Sequence, residues 1–117
     1  MSDYKLLIMS NPVPGREDEF EDWYDIHSRE MVRTAKHVVG VQRFRRVETQ
    51  AGDRPPYRHL VIAEWQADNL DTSWEQHIAA FRVGVAAGTL SAVPSAFDTS
   101  SNPHWFYEAI SPHLANR

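Results

Sequence analysis

The chain of 117 residues contains no cysteine. This absence excludes disulfide bonds, a thiol nucleophile and any metal site built on thiolates, and it agrees with the cytoplasmic location that we expect. An excess of positive charge is also missing, since the chain has 12 Lys and Arg but 16 Asp and Glu, for a net charge of −4. Nucleic-acid-binding proteins usually carry a basic face, so we expect no nucleic-acid partner.

Long hydrophobic runs are missing as well. The longest apolar stretch covers residues 6–9, which is the length of a strand and far too short to cross a bilayer. The first residues lack the basic and apolar pattern of a signal peptide, so we expect no membrane partner. The sequence has no glycine-rich phosphate loop and no Gly-x-Ser-x-Gly motif, which argues against nucleotide use and serine hydrolysis.

Aromatic residues are abundant. Four Trp, five Phe and four Tyr occur in a chain whose length suits one domain, residues 1–117. So many aromatic side chains in a small protein indicate a wide apolar cavity or a large subunit contact.

The apolar spacing predicts an alternation of strands and helices. We expect strands at residues 4–9, 41–47, 57–65 and 104–110, with Gly40 opening the second strand and a turn at residues 51–56. A first amphipathic helix is predicted over residues 16–36. Thr72 and Glu75 have capping-box spacing, with Asp71 as a competing cap, and predict a second helix that ends near Gly88.

The resulting order, β-α-β-β-α-β, predicts an α+β, ferredoxin-like fold. In this arrangement a four-stranded antiparallel sheet carries both helices on one face. The other face of the sheet then needs a cover that this chain does not supply, which favours dimerisation.

The first half of the chain resembles a known group. Residues 11–20 (NPVPGREDEF), the helical segment 23–27 (WYDIH) and Gly40-Val41 before Arg43 resemble the dimeric α+β barrel superfamily, in particular its EthD-like or related uncharacterised bacterial members. The resemblance implies a homodimeric α+β barrel with a cleft between each sheet and its helices, lined by His27 and Tyr24. The chain departs from the family pattern at two places. Many relatives have a proline within residues 28–30, where this chain has Ser-Arg-Glu. The proline that usually precedes the Gly-Val pair is replaced by Val39.

Three residues are candidates for catalysis. His27 lies at the centre of the apolar stripe of the first helix, and an imidazole is the usual proton shuttle near neutral pH. His77 holds the corresponding position on the second helix. Tyr24 precedes His27 by one turn and offers a hydrogen-bond donor to a substrate carbonyl. The structural alternatives are core histidines satisfied by the protein and a tyrosine that fastens the helix to the sheet.

Four further residues are candidates for substrate binding. Trp23, Trp74 and Phe81 lie on the same helix stripes and would form apolar walls, although such residues also serve as core or interface. Arg43 would clamp a substrate carboxylate. Its alternative role is an ion pair with the acidic first helix or with the partner subunit.

The function predicted from these residues is a cofactor-independent enzyme. It would act on a small aromatic or polyketide-like apolar molecule by proton transfer next to a carbonyl, as a cyclase, isomerase or monooxygenase. Its predicted partners are this apolar molecule and a second copy of the chain; no cofactor and no metal site are predicted. One alternative is a non-catalytic dimer that binds a small ligand. Another is a haem enzyme, with His27 or His77 as the axial ligand.

Overall fold

The computed structural model describes residues 1–48 and 56–116. Four strands form one sheet in the order β2-β3-β1-β4, and every neighbouring pair is antiparallel. The strands are β1 (Ser2–Ser10), β2 (Val38–Arg45), β3 (His59–Ala67) and β4 (His104–Tyr107), and the helices are α1 (Glu17–Thr34) and α2 (Leu70–Ala87). The predicted α+β, ferredoxin-like fold is therefore confirmed.

The first helix begins with three acidic residues, Glu17, Asp18 and Glu19, which face the positive end of the helix dipole. The pair Asp25–Arg29 stabilises its exposed face at one turn's spacing. The helix ends two residues before the predicted end, because Ala35 already has an extended backbone with ψ at 121°.

The second strand begins earlier than predicted. It starts at Val38, so the prediction that Gly40 opens the strand is wrong. Gly40 instead lies at an irregularity in the pairing of β2 with β3, between Val38 and Gly40. The predicted turn that follows, at residues 51–56, falls almost entirely outside the described residues.

The start of α2 also differs from the prediction. The cap is Asn69, whose Oδ1 accepts a hydrogen bond from the backbone N–H of Thr72 at 2.9 Å. The predicted capping box of Thr72 and Glu75 is therefore wrong, although the helix lies where it was expected. Its predicted end is confirmed, because Gly88 takes the left-handed conformation at φ 77°, which glycine adopts without strain.

The core lies between the helices and one face of the sheet, here called the inner face. One buried cluster contains Phe20 and Tyr24 of α1 with Val61 of β3 and Phe97 of the segment after α2. A second cluster centres on Trp65 of β3, whose indole N–H donates to Ser73 of α2 at 2.9 Å. The two clusters position the site, because the space between α1, α2 and the inner face lies beside both.

The opposite, outer face of the sheet carries side chains that alternate with those of the core. Apolar side chains occupy its middle, and within the described chain neither helix covers it. Phe44, Trp105 and Tyr107 are between 40% and 53% exposed there. Leu7 pairs with both Ile62 and Trp105 across adjacent strands, so the apolar surface is continuous.

A candidate active site between the helices and the sheet

A cavity of about 320 Å³ lies between the inner face of the sheet, the two helices and the segment after α2. Six of the seven predicted site residues line it. They are Trp23, Tyr24 and His27 from α1, and Trp74, His77 and Phe81 from α2. Both helices place these side chains toward the sheet because the residues recur at three- and four-residue intervals.

His27 lies among aromatic rings. Its imidazole stacks on Trp23 with ring centroids 4.5 Å apart and planes 11° apart, and it meets Phe81 edge to face at 5.6 Å. Burial lowers the pKa of His27 to about 4, against a smaller raising effect of Glu30 and with a further lowering by His77. The ring is therefore neutral at physiological pH. Its Nδ1 is buried and makes no hydrogen bond with the described residues.

Tyr24 lies 6.0 Å from His27 between ring centroids. Burial raises the pKa of its phenol to about 12, although Ser10 and Arg43 both act in the opposite direction. The hydroxyl thus stays protonated across the physiological range and can donate a hydrogen bond.

His77 is held between two tryptophans. Its ring meets Trp65 at 5.0 Å in a T-shaped contact and stacks on Trp74 at 5.7 Å. Burial lowers the pKa of His77, with further contributions from His37 and His104. A second neutral imidazole therefore lies on the opposite wall from His27.

His104, which was not among the predicted site residues, lines the same cavity. Its Nδ1 lies 2.7 Å from the carbonyl oxygen of Asn102. Because a carbonyl can only accept, Nδ1 must donate, and in the neutral ring Nε2 is left as the acceptor. Burial lowers the pKa of His104. Its alternation with Phe106 along β4 was the signal that it faces inward.

The segment after α2 supplies the remaining wall, which sequence reasoning also missed. Phe97 is buried against Phe20, Trp23 and Tyr24, and its backbone pairs with Pro12. Its loop position gave no periodic pattern, so nothing in the sequence indicated that it enters the core.

Arg43 does not line this cavity. Its guanidinium bonds to Glu21 of α1 at 2.7 Å and lies 5.4 Å from the centroid of the Tyr24 ring. The ion pair with the acidic first helix, one of its two predicted roles, is therefore the contact that it makes. Arg43 thus touches the lining of the cavity at the Tyr24 ring.

The described residues contain no group of three His, Asp or Glu placed to hold a metal ion. Among the same residues, no helix is both long and apolar enough to span a membrane. The site is thus a cavity with largely aromatic walls that holds two neutral imidazoles, a third imidazole with a defined tautomer, and a protonated phenol.

Comparisons with known proteins identify the fold. No protein-family model and no curated protein matches the chain. Several solved structures are similar to it, and three of them match 95% of the chain. The first is a candidate monooxygenase from Shewanella loihica, with a TM-score of 0.60, 14% identity and 97% of that chain covered. The second is a protein from Arabidopsis thaliana, with a TM-score of 0.66, 14% identity and 99% of that chain covered. The third is the haem degrader MhuD from Mycobacterium tuberculosis with two haems bound in its active site, with a TM-score of 0.61, 15% identity and 99% of that chain covered. At these identities the likeness is one of fold alone: the chain shares the α+β fold of these three structures.

Proposed function

We propose that the protein is a cofactor-independent enzyme that binds a small aromatic or similarly apolar carbonyl compound between its helices and its sheet. It would transfer a proton at the carbon next to the carbonyl. The observation that carries the proposal is the meeting of Tyr24, His27 and His77 in one apolar cavity of about 320 Å³, a size typical of small-molecule sites.

The chemistry follows from the protonation states. A neutral imidazole accepts a proton from the carbon, the C–H bond breaks, and its electron pair moves onto the carbonyl oxygen to give an enolate. The Tyr24 phenol, kept protonated by burial, donates a hydrogen bond to that oxygen. Return of the proton to another carbon completes an isomerisation, and attack of the enolate on a second carbonyl of the same molecule completes a cyclisation.

His27 is the proposed base and His77 the second acid–base group. The pKa of about 4 makes His27 always available as an acceptor but weakly basic, so it suits an acidic C–H bond. Since its Nδ1 is buried, Nε2 is the nitrogen assigned to the substrate. Trp23, Trp74 and Phe81 form the apolar walls that exclude water.

We further propose that the active form is a homodimer joined through the outer face of the sheet, as in an EthD-like dimeric α+β barrel. The support is the continuous apolar surface of Leu7, Ile62 and Trp105, which lacks a cover within the described chain. A cytoplasmic location remains a prediction from the absence of cysteine.

The reaction can be tested without the natural substrate. In D₂O, 2-tetralone exchanges its acidic protons next to the carbonyl, and ¹H NMR follows the loss of their signal. We expect the protein to accelerate this exchange, Tyr24→Phe to reduce the acceleration roughly 10²-fold, and His27→Gln to reduce it roughly 10²-fold or more. Tyr107→Phe, an exposed tyrosine on the outer face, is the matched control and should leave the rate unchanged.

Two results would contradict this proposal. If aromatic ketones and phenols raise the melting temperature but no exchange is accelerated, the protein is a binding protein and not this enzyme. If neither a thermal shift nor exchange is observed across a broad set, the cavity has no role in binding such molecules.

Haem binding is the second candidate function. His27 and His77 fit the need for an axial ligand, because burial keeps both imidazoles neutral beside an apolar cavity. Bound haem would supply the redox chemistry of its iron, while the chain would hold the group and exclude water. Titration with haemin should then give a saturable Soret band that one of His27→Ala and His77→Ala removes; a band that neither variant changes would exclude this candidate.

A further inference from the structure

A second, larger cavity of about 490 Å³ lies between α1 and α2 on the far side of His77 and Phe81. We call it the interhelix groove. The two helices make few close backbone approaches, whereas neighbouring helices on a sheet usually pack against each other. The groove is thus a gap in the helix layer, lined by apolar side chains such as Met31 and Ala80.

The groove has two distinct ends. At one end His37 Nε2 lies 3.1 Å from Gln76 Oε1 and connects the chain after α1 to α2. At the other end Leu90 packs directly onto Gly84, where a Cβ would collide with the leucine side chain. Glycine at position 84 therefore allows Leu90 to close the apolar end of the groove.

The charge of the lining is unusual for this chain. The protein carries 16 acidic residues, yet no acidic side chain lines the groove among the described residues. The ionisable groups that do line it are Lys36, His37 and His77. Lys36 makes no ion pair within the described part of the chain, so its ammonium is available to an anion at the polar end.

The groove also adjoins the candidate active site. His77 and Phe81 line both cavities and form the wall between them. A ligand in the groove would therefore contact two residues of the proposed catalytic cavity from behind.

We propose that the interhelix groove is a second ligand site, which takes the apolar chain of a carboxylic acid and holds its carboxylate at Lys36. The apolar chain lies along Met31 and Ala80 toward Leu90. The ligand would also contact His77 and Phe81, which line the catalytic cavity. An effect of this contact on catalysis is the one part that rests on the proposed function.

The probe for this site is 11-(dansylamino)undecanoic acid, whose fluorescence rises in an apolar environment. We expect saturable binding that Ala80→Trp weakens tenfold or more by filling the groove. Ala86→Trp is the matched control, since Ala86 is exposed on the same helix and lines neither cavity. Equal affinities of the two variants would overturn the proposal.

Competition tests the charge. Decanoate should displace the probe at least tenfold better than decanol, and Lys36→Gln should remove this preference. Arg33→Gln, an exposed cation in the last turn of α1, should retain it. A preference that is absent from the wild type, or that survives in Lys36→Gln, would contradict the role of Lys36.

A third variant separates this proposal from the proposed function. Ile78 lines the catalytic cavity but not the groove. If Ile78→Trp weakens binding of the probe and Ala80→Trp does not, the probe occupies the catalytic cavity and the groove proposal is wrong. The exchange of 2-tetralone would still test the proposed enzyme activity separately. If Ala80→Trp changes the oligomeric state, the groove is a subunit contact and the proposal is overturned as well.

Discussion

The two faces of the sheet differ in how they bury the same kinds of residue. On the inner face Trp65 is 1% exposed, and its indole N–H has a defined partner in Ser73. On the outer face Trp105 is 49% exposed. The inner face therefore holds a side chain in one orientation, which a reactive site requires, while the outer face offers an apolar surface of the kind that subunit contacts use.

The polar groups of the two faces differ in the same way. The inner face has four histidines beside it, and burial lowers the pKa of His27, His59, His77 and His104. The outer face has the exposed ion pair Lys5–Glu64 at 3.2 Å. Ionisation of these four histidines is thus costly, which makes the inner face the candidate place for proton chemistry with perturbed groups.

Truncating one tryptophan on each face tests this difference most strongly. Trp65→Ala should lower the free energy of unfolding by about 3–5 kcal/mol, because it leaves a cavity in the core and removes the partner of Ser73. Trp105→Ala should cost about 1 kcal/mol or less at the lowest usable protein concentration. Urea unfolding measures both, and equal losses would show that the two faces are equally well packed.

Acid should affect the inner face next most strongly. The pKa of His27 is about 4 in the folded chain and about 6.5 when unfolded, so between these values the unfolded state binds more protons. Stability contributed by the neutral ring is complete above pH 6.5 and is lost as the pH falls to 4, by up to about 3 kcal/mol for His27. The lowered pKa values of His59, His77 and His104 act in the same direction.

The measurement is urea unfolding at pH values across this window. His27→Gln should make the loss of stability between pH 6.5 and 4.5 smaller, whereas the exposed His113→Gln should not change it. A His27→Gln protein with the slope of the wild type would show that this ring is not the group that titrates.

A charge on the outer face should affect assembly and not the fold. Ile62→Lys places an ammonium at the centre of the apolar surface, and we expect the dissociation constant of the proposed dimer to rise 100-fold or more. Light scattering after gel filtration measures this change. Ile26→Lys, at an exposed apolar position on α1, is the control, and equal behaviour of the two variants would place the interface elsewhere.

The sequence predicted the helix face of the site because three- and four-residue spacing identifies which side of a helix is buried. Tyr24, His27 and His77 were placed on the buried sides of their helices in this way, and all three line the cavity. Phe97 was not found, because a loop has no periodicity and its burial depends on pairing with Pro12, far away in the chain. The cap Asn69 was missed because Asp71 and Thr72 compete with it for that role, and only the backbone geometry selects one of them.

Arg43 was the ambiguous case, since a strand arginine suits a substrate carboxylate and a helix carboxylate equally well. Its partner depends on how α1 lies across β2, which the sequence does not specify. The structure places Glu21 of α1 within 2.7 Å of it. This edge of the inner face, beside Tyr24, is partly exposed to solvent. A substitution here should have the smallest effect of those that compare the inner with the outer face.

Glu21→Gln removes the ion pair of Arg43 while keeping the size of the side chain. Because Glu21 is nearly half exposed, we expect a loss of less than about 1 kcal/mol in the free energy of unfolding. The released guanidinium would remain beside the Tyr24 ring and favour its phenolate, so the pKa of Tyr24 should fall from about 12. Absorbance of the phenolate during alkaline titration measures this fall, with Glu19→Gln as the control on the same helix. An unchanged titration would mean that the charge of Arg43 does not affect the Tyr24 phenol, and that the role of Arg43 is to join β2 to α1 through its ion pair.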